Sequence, residues 1–389
     1  MRAAAVPDRP PVSRGSGSRE ARARESGGRV TTEPLTTPAA LAERLPVTDA
    51  VAETVLGARE AVCRVLAGTD DRLLVVVGPC SIHDVDAALA YARLLRRLAD
   101  EVADDLLVVM RVYLEKPRSA LGWPGLLTDP SLDGAFAVGA GLRVAREMMV
   151  AIAGLGLPIA CEWLSPVTPA YLGDLVSWGA VGARTVESQV HRQLASGLPM
   201  PVGMKNGTSG SVQAAVDAIR AAAVPHAYLG VADDGTPSVL RTSGNPHCHV
   251  VLRGGPGGPN YSEEDVRDAL ARLRAAGLPE RVVIDASHGN SGKCHERQRA
   301  VVAEMAERIA AGEEGVRGLL LESFLVPGRQ DVVAGRPLVF GQSVTDACLG
   351  WDTTAGLLRS LAEAVRRRRQ TQPPASATSP VASEPRQHA

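Results

Sequence analysis

The chain has 389 residues, 45% of them hydrophobic and 22% charged, with a formal net charge of −1. That length can bury one large core or two smaller ones, and the balanced charge carries no global field suited to nucleic acid or an anionic membrane. Six cysteines occur without a CxxC pair, which fits reduced thiols rather than a disulfide framework, and no apolar run is long enough to span a bilayer.

The N-terminal stretch, residues 1–30, is rich in Arg, Ser, Gly and Pro without apolar periodicity, and reads as a disordered tail lacking a secretory h-region. The expected location is therefore the cytoplasm. Residues 31–70 form an N-terminal extension, in which "VAETVLGAREAVCRVLAG" (51–68) predicts a helix ahead of the first strand.

Short apolar runs then alternate with helix-like stretches. They begin at 73 (LLVVVGPC), 106 (LLVVMRVY), 158 (PIACEWL), 181 (VGARTVES), 200 (MPVGMKNG), 248 (CHVVLRGG), 281 (RVVIDASH) and 318 (GLLLESFL). Near-continuous apolar strands separated by helices imply a parallel sheet covered on its outer face, and eight units match an α/β fold, the (β/α)8 TIM barrel, over 71–369. Residues 224–243, with Asp-Asp-Gly between two strand-like pieces, predict an inserted hairpin. "GLLRSLAEAVRRRR" predicts a closing helix whose Arg366–Arg369 complement its C-terminal dipole, and residues 370–389 read as a second disordered tail.

In such a barrel the chemistry collects at the C-terminal strand ends. Five cations fall there: Arg111, Lys116, Arg184, Lys205 and Arg253, beside small residues such as Gly182, Ala183, Gly203 and Gly254. Singly, each is an ordinary surface charge. Together they suit a multiply charged anion, because guanidinium binds phosphate and carboxylate bidentately and ammonium acts as a point charge. The other strand ends carry Cys80, His288 and Glu322, followed by Asp346 in the next loop. Sulfur, imidazole and two carboxylates form a ligand set for a divalent metal, with Mn2+, Fe2+, Co2+ and Zn2+ all open. "PHCHVV" (246–251) and "KCHE" (293–296) also look like metal clusters, but neither has finger-like spacing, and "KCHE" is read as opening a charged helix. "RGGPGGP" (253–259) lacks the Lys-Ser/Thr of a phosphate loop and reads as a turn beside Arg253.

The segments "GPCSIHD", "MRVYLEKPRSALGWPGLLTDP", "GARTVESQVHRQLASGLPMPVGMKNGTSG", "HVVLRGG", "DASHGNSGK" and "SVTDACLGW" closely resemble the type I 3-deoxy-D-arabino-heptulosonate 7-phosphate (DAHP) synthases, over roughly residues 35–368. The resemblance implies a metal-dependent transferase that condenses phosphoenolpyruvate with erythrose 4-phosphate, the first step towards aromatic amino acids. It implies metal ligation by Cys80, His288, Glu322 and Asp346, the set reached above. It implies phosphoenolpyruvate binding by Arg111, Lys116, Arg184, Lys205 and Arg253, with backbone groups of Gly182 and Ala183. The element that contacts erythrose 4-phosphate stands here as Lys116, Pro117, Arg118 and Ser119, where Ser replaces the usual Thr and keeps the hydroxyl; Asp346 borders the same substrate. Lys116, His288 and Cys80 are the expected catalytic residues, Cys80 as a ligand with a lowered thiol pKa and not as a nucleophile. Proton transfer is left open among Lys116, His288 and a metal-associated water.

An aromatic amino acid effector and a homodimer or homotetramer are implied by the same resemblance. The alternatives are a different phosphorylated aldehyde, a metal aldolase without phosphoenolpyruvate, and a silent regulatory barrel. The aldolase has no need for five strand-end cations, and a silent barrel has no need for a complete ligand set.

Overall fold

A computed structural model describes residues 30–118, 121–333 and 335–371. Contacts group residues 36–389 into one compact unit and residues 1–35 into another; the elements below belong to the former. Two helices come first, α1 (Pro38–Arg44) and α2 (Asp49–Ala67). Thr48 caps α2, its hydroxyl accepting from Val51 N, and Gly68 ends it at φ 77°, a left-handed position that suits glycine.

Strand β1 (Leu73–Gly78), helix α3 (Val85–Glu101), β2 (Leu106–Arg111), α4 (Val138–Gly154) and β3 (Ile159–Glu162) open the barrel. The short α5 (Thr168–Leu172), β4 (Trp178–Val181), α6 (Gln189–Gly197), β5 (Val202–Lys205) and α7 (Val212–Ala222) continue it. After the inserted pair β6 (Ala227–Val231) and β7 (Pro237–Arg241) come β8 (His249–Leu252), α8 (Glu263–Ala275), β9 (Val282–Asp285), α9 (Gln298–Ala310) and β10 (Val316–Glu322). A small ladder, β11 (Val326–Arg329) with β12 (Gln342–Ser343), and the closing helix α10 (Trp351–Thr371) follow.

Eight strands close in the order β1-β10-β9-β8-β5-β4-β3-β2, all parallel. The (β/α)8 expectation is met, and β6 and β7 form the expected antiparallel hairpin outside the barrel. The fourth strand starts earlier than the run at 181 suggested. Trp178–Val181 is the strand, and the "ARTVES" portion turns away behind it.

Period-2 alternation divides the barrel side chains between two cores. Val75, Val77, Val108, Met110 and Ile159 face the helices, whereas Leu74, Val76, Leu107, Val109, Ala160, Trp178, Ala180, Val251, Val283 and Leu320 fill the interior. Ala61, Val62, Val65 and Leu66 of α2 belong to that interior cluster, so the N-terminal helix plugs the barrel floor. Gly203 is required beside Trp178, because a Cβ there would lie 2.5 Å from the indole. His249 is 1% exposed on the floor and its Nε2 accepts from Trp178 Nε1 at 3.2 Å, while Cys248 is buried on the opposite face. The "PHCHVV" cluster therefore sits at the end of the barrel away from the strand tips that carry the other charged groups.

The arginine run ends α10 as expected, and each side chain has a partner. Arg366 pairs with Asp105 (2.7 Å), Arg367 with Glu307 (2.9 Å), Arg369 with Asp71 and Asp105, and Arg368 donates to the Asp71 carbonyl. The helix runs to Thr371, two residues into the expected tail; the remainder of that tail, and residues 1–29, lie outside the described residues. No helix among the described residues is long and apolar enough to cross a membrane.

Candidate active site

The interior alternation carries upward beyond the apolar layers. Continuing the parity of Leu107, Ala160, Trp178, Gly203, Val251, Val283 and Leu320 brings Arg111, Glu162, Gly182, Lys205, Arg253, Asp285 and Glu322 to the inner face at the strand tips. A run that is apolar below and charged above thus builds a dry barrel with a polar mouth. The mouth encloses a cavity of about 160 Å³, lined by Arg111, Lys116, Arg184, Lys205 and Arg253 among others. All five expected cations, together with Gly182, Ala183, Pro117 and Arg118, surround one space. Ser119 lies outside the described residues.

Arg111 is fully buried, and its guanidinium is fixed on three sides. Nε donates to Pro79 O at 3.0 Å, a terminal nitrogen reaches Glu322 Oε1 at 2.9 Å, and Cζ sits 3.5 Å over the Tyr113 ring. Lys205 Nζ lies 3.1 Å from Asp285 Oδ2, with both side chains buried. The same oxygen lies 2.9 Å from His288 Nδ1, which also bonds Ser287 Oγ at 2.6 Å. Burial would raise the Asp285 carboxyl, but His288 and Lys205 outweigh it and hold the group well below the usual carboxylate range.

Cys80 Sγ, a Glu322 carboxylate oxygen and an Asp346 carboxylate oxygen lie within 4.8 Å of one another. The thiol donates to Asp346 Oδ2 at 3.4 Å, and Lys116 Nζ stands 3.0 Å from the sulfur and 4.0 Å from the Asp346 oxygen. His288 approaches from one side, Nε2 lying 3.8 Å from Glu322 Oε1, and is not part of the tight group of three. The four expected ligands thus converge from β1, β9, β10 and the loop after β12, but the imidazole stands further out than its companions. Its backbone takes φ 55°, unusual for a non-glycine residue, and Asp285 and Ser287 orient the ring from the Nδ1 side.

Soft sulfur, two hard oxygens and an oriented imidazole make a donor set that fits a divalent transition metal, and the Lys116 ammonium supplies positive charge against the same three atoms. The expected lowering of the Cys80 thiol belongs to its role as a ligand; the protein chain alone acts in the opposite direction. Burial pushes it up to about 11, assisted by Glu322 and opposed by Lys116. A coordinated cation is what reverses that balance. Burial also opposes charge on Lys116, yet Cys80, Glu322 and Asp346 more than offset it and keep its pKa above the ordinary lysine value.

Several groups at the mouth escaped the sequence reading. Gln298, fully buried at the start of α9, clamps the Glu322 backbone, its Nε2 donating to the carbonyl (3.1 Å) and its Oε1 accepting from the amide (2.9 Å). Asn206 Oδ1 accepts from Arg253 N at 2.7 Å, and Asn290 Nδ2 donates to Leu252 O and Asp285 O. These amides tie β5, β8 and β9 together beneath the cations. Glu162 lines the cavity, and so do Lys293 and His295. Of these, Asp285 and Glu162 carried a readable signal, an acid ending an apolar run. "KCHE", read as a helix start, instead enters a 3-10 turn (His295–Arg297) before α9.

Residues 45–359 match the family described as the "DAHP synthetase I family". The chain is 52% identical over 335 residues to the "Phospho-2-dehydro-3-deoxyheptonate aldolase, Phe-sensitive" of Escherichia coli strain K12, covering 86% of this chain and 95% of that protein. It is also 52% identical over 334 residues to the Trp-sensitive enzyme of Enterobacter agglomerans, covering 86% and 96%. Its fold is similar to the solved structure of phospho-2-dehydro-3-deoxyheptonate aldolase from Francisella tularensis SCHU S4, with a TM-score of 0.86 and 45% identity over 88% of this chain and all of that one.

Proposed function

This chain belongs to the DAHP synthetase I family, and on that premise we propose how its own residues serve the reaction. The chain is a metal-dependent transferase that condenses phosphoenolpyruvate with erythrose 4-phosphate and water, giving DAHP and phosphate in aromatic biosynthesis. In that reaction C3 of the enolpyruvate attacks the aldehyde carbon, water adds at C2, and phosphate leaves by C–O cleavage.

The observation that carries the assignment of roles is the division of one cavity into a cationic side and a ligand side. Arg111, Lys205, Arg184 and Arg253, with the Gly182–Ala183 backbone, hold the carboxylate and phosphate of phosphoenolpyruvate. Arg111 is held by the Tyr113 face and Glu322, and Lys205 by Asp285, so the site is organised before substrate arrives and needs little rearrangement in the transition state. Lys116 lies between the two sides, touching Cys80 and Asp346, and presents its charge where the two substrates meet. Lys116, Pro117 and Arg118, with Ser119, bind the erythrose 4-phosphate end, and Asp346 borders the same substrate. Arg118 Nε is already engaged by Trp123 O at 2.9 Å, which orients that guanidinium at the rim.

A divalent cation held by Cys80, His288, Glu322 and Asp346 supplies Lewis acidity towards the aldehyde oxygen. Mn2+, Fe2+, Co2+ and Zn2+ all suit the mixed donors. Control by an aromatic amino acid fits the Phe- and Trp-sensitive relatives. Self-association as a dimer or tetramer is supported by Leu229 and Val239, which pair across the hairpin and are 82% and 64% exposed.

The test is phosphate release from the two substrates after EDTA treatment, with and without added Mn2+, for the wild type and Cys80→Ala. Activity that returns with metal in the wild type and stays low in the variant supports both the reaction and the ligand role. Activity indifferent to EDTA and to the substitution refutes the ligand set.

A further inference from the structure

The reaction cavity has a neighbour. A second cavity of about 760 Å³ opens beside it and shares four lining residues with it: Ala183, Arg184, Arg253 and Lys293. The remaining wall comes from the turns after β4, β5, β8 and β9, including Glu187, Thr208, Gly255 and Gly289. Cys80, Lys116, Glu322 and Asp346 do not line it. It therefore adjoins the Arg184–Arg253 side of the reaction cavity, away from Cys80, Glu322 and Asp346.

We propose that this side cavity is a second anion site, which takes inorganic phosphate as it leaves the reaction pocket, with Lys293 on the wall that the two cavities share. The inference rests on phosphoenolpyruvate being the substrate. Arg184 and Arg253 form the shared wall, so an anion can pass from one cavity to the other without leaving their charge. Lys293 extends that charge outward. A flexible ammonium acts as a point charge without the fixed fork of a guanidinium, which suits transfer better than tight retention. Glu187 brings a negative charge to the same space, which limits affinity for phosphate and favours transit.

The wall between the cavities is rigid. Gly289 N donates to Arg253 O at 2.9 Å, Arg253 N is held by Asn206, and a Cβ on Gly289 would lie 2.6 Å from Gly255 N. Lys293 is presented by a strained turn, at φ 61°, with its N–H donating to His288 O at 2.7 Å. One short turn thus places His288 beside Glu322 and Lys293 on the wall that the two cavities share. The larger product can then remain on the ligand side while phosphate departs by another way.

The experiment is calorimetric titration of inorganic phosphate into the full chain, loaded with Mn2+, freed of excess metal and saturated with phosphoenolpyruvate, with erythrose 4-phosphate withheld. The wild type is expected to bind phosphate while phosphoenolpyruvate stays bound. Lys293→Ala, which keeps the same backbone demand, is expected to weaken phosphate about tenfold, the effect of losing one charge-assisted contact. Its phosphoenolpyruvate affinity should fall by about threefold or less, a smaller loss because Arg111, Arg184, Lys205 and Arg253 still line the reaction cavity. Thr208→Trp, which fills the cavity from the β5 loop, should weaken phosphate in the same way. Phosphate that binds only by displacing phosphoenolpyruvate overturns the proposal. So does a Lys293→Ala variant that loses both ligands equally, since Lys293 then belongs to the reaction pocket. A wild type that binds no phosphoenolpyruvate overturns the functional reading itself, a separate failure.

Discussion

Arg111 sits over the ring of Tyr113, its guanidinium carbon 3.5 Å from the ring centroid, inside a barrel where both side chains are fully buried. The tyrosine hydroxyl has no hydrogen-bond partner among the described residues, so the ring face is what the site uses. Tyr113→Phe is expected to leave phosphoenolpyruvate affinity unchanged and stability equal or higher. Tyr113→Leu should cost about 1–2 kcal/mol of cation–π contact and raise KM for phosphoenolpyruvate several-fold. Steady-state kinetics and urea unfolding of the two variants check this; equal behaviour would show that Arg111 does not depend on the ring.

Asp285 Oδ2 stands 3.1 Å from Lys205 Nζ and 2.9 Å from His288 Nδ1. Asp285→Asn removes the counter-charge of a buried Lys205 and the orienting partner of His288. Breaking a buried pair from one side costs roughly 3–5 kcal/mol, and loss of a group that orients a metal-binding histidine weakens metal about 10–100-fold. Urea unfolding and a metal titration give the two numbers. A variant with weakened metal and unchanged stability would mean that Lys205 finds another partner.

Gly182 faces Glu162 so closely that a Cβ would lie 2.3 Å from Oε1. Gly182→Ala must therefore move either the carboxylate or the turn that carries Ala183 and Arg184. A displacement on the order of 1 Å at such a point lowers rates about 100-fold. The expected result is a folded protein, by circular dichroism, with kcat/KM for phosphoenolpyruvate reduced by that order. Activity within twofold of the wild type would contradict the close packing.

His249 gives the barrel floor a pH dependence. Burial, reinforced by Arg281, lowers its pKa to about 3, and the neutral ring accepts from Trp178 Nε1. The unfolded chain protonates this histidine near its ordinary value, so between roughly pH 6.5 and 3 the unfolded state binds more protons. The stabilisation is complete above that window and is lost as pH falls through it, amounting to a few kcal/mol by linkage. His249→Gln keeps an acceptor for Trp178 and should flatten the slope of unfolding free energy between pH 6 and 4. An unchanged slope would assign the acid sensitivity to other groups.

Much of this protein is legible in its apolar runs. Each barrel strand is a short, nearly continuous apolar segment because helices cover its outer face and packed side chains fill the inside, and that pattern marks eight strands without reference to contacts. The charged residue ending each run is legible for the same reason, since in this fold a strand tip is where the dry interior meets solvent. The fourth strand begins at Trp178 rather than at 181, where the apolar run is read in sequence, and the interior packing of Trp178 and Ala180, with Gly203 against the indole, is what places it. Cys80, His288 and Glu322 are legible as candidate ligands because each breaks or ends an apolar run, and Asp346 because it stands in the loop that follows.

The sequence by itself determined the barrel and the residue types at its mouth. Those properties follow from hydrophobic periodicity and the chemistry of single side chains. Tertiary structure alone decided that Arg111, Glu162, Lys205, Asp285 and Glu322 share one inner face, through the parity and register of neighbouring strands. It also decided that α2 closes the floor, that Gln298 and the asparagines lock the backbone, and that His288 stands further out than the other three ligands. Distances between residues far apart in the chain depend on how the whole barrel closes, and closure is a property of all eight strands together.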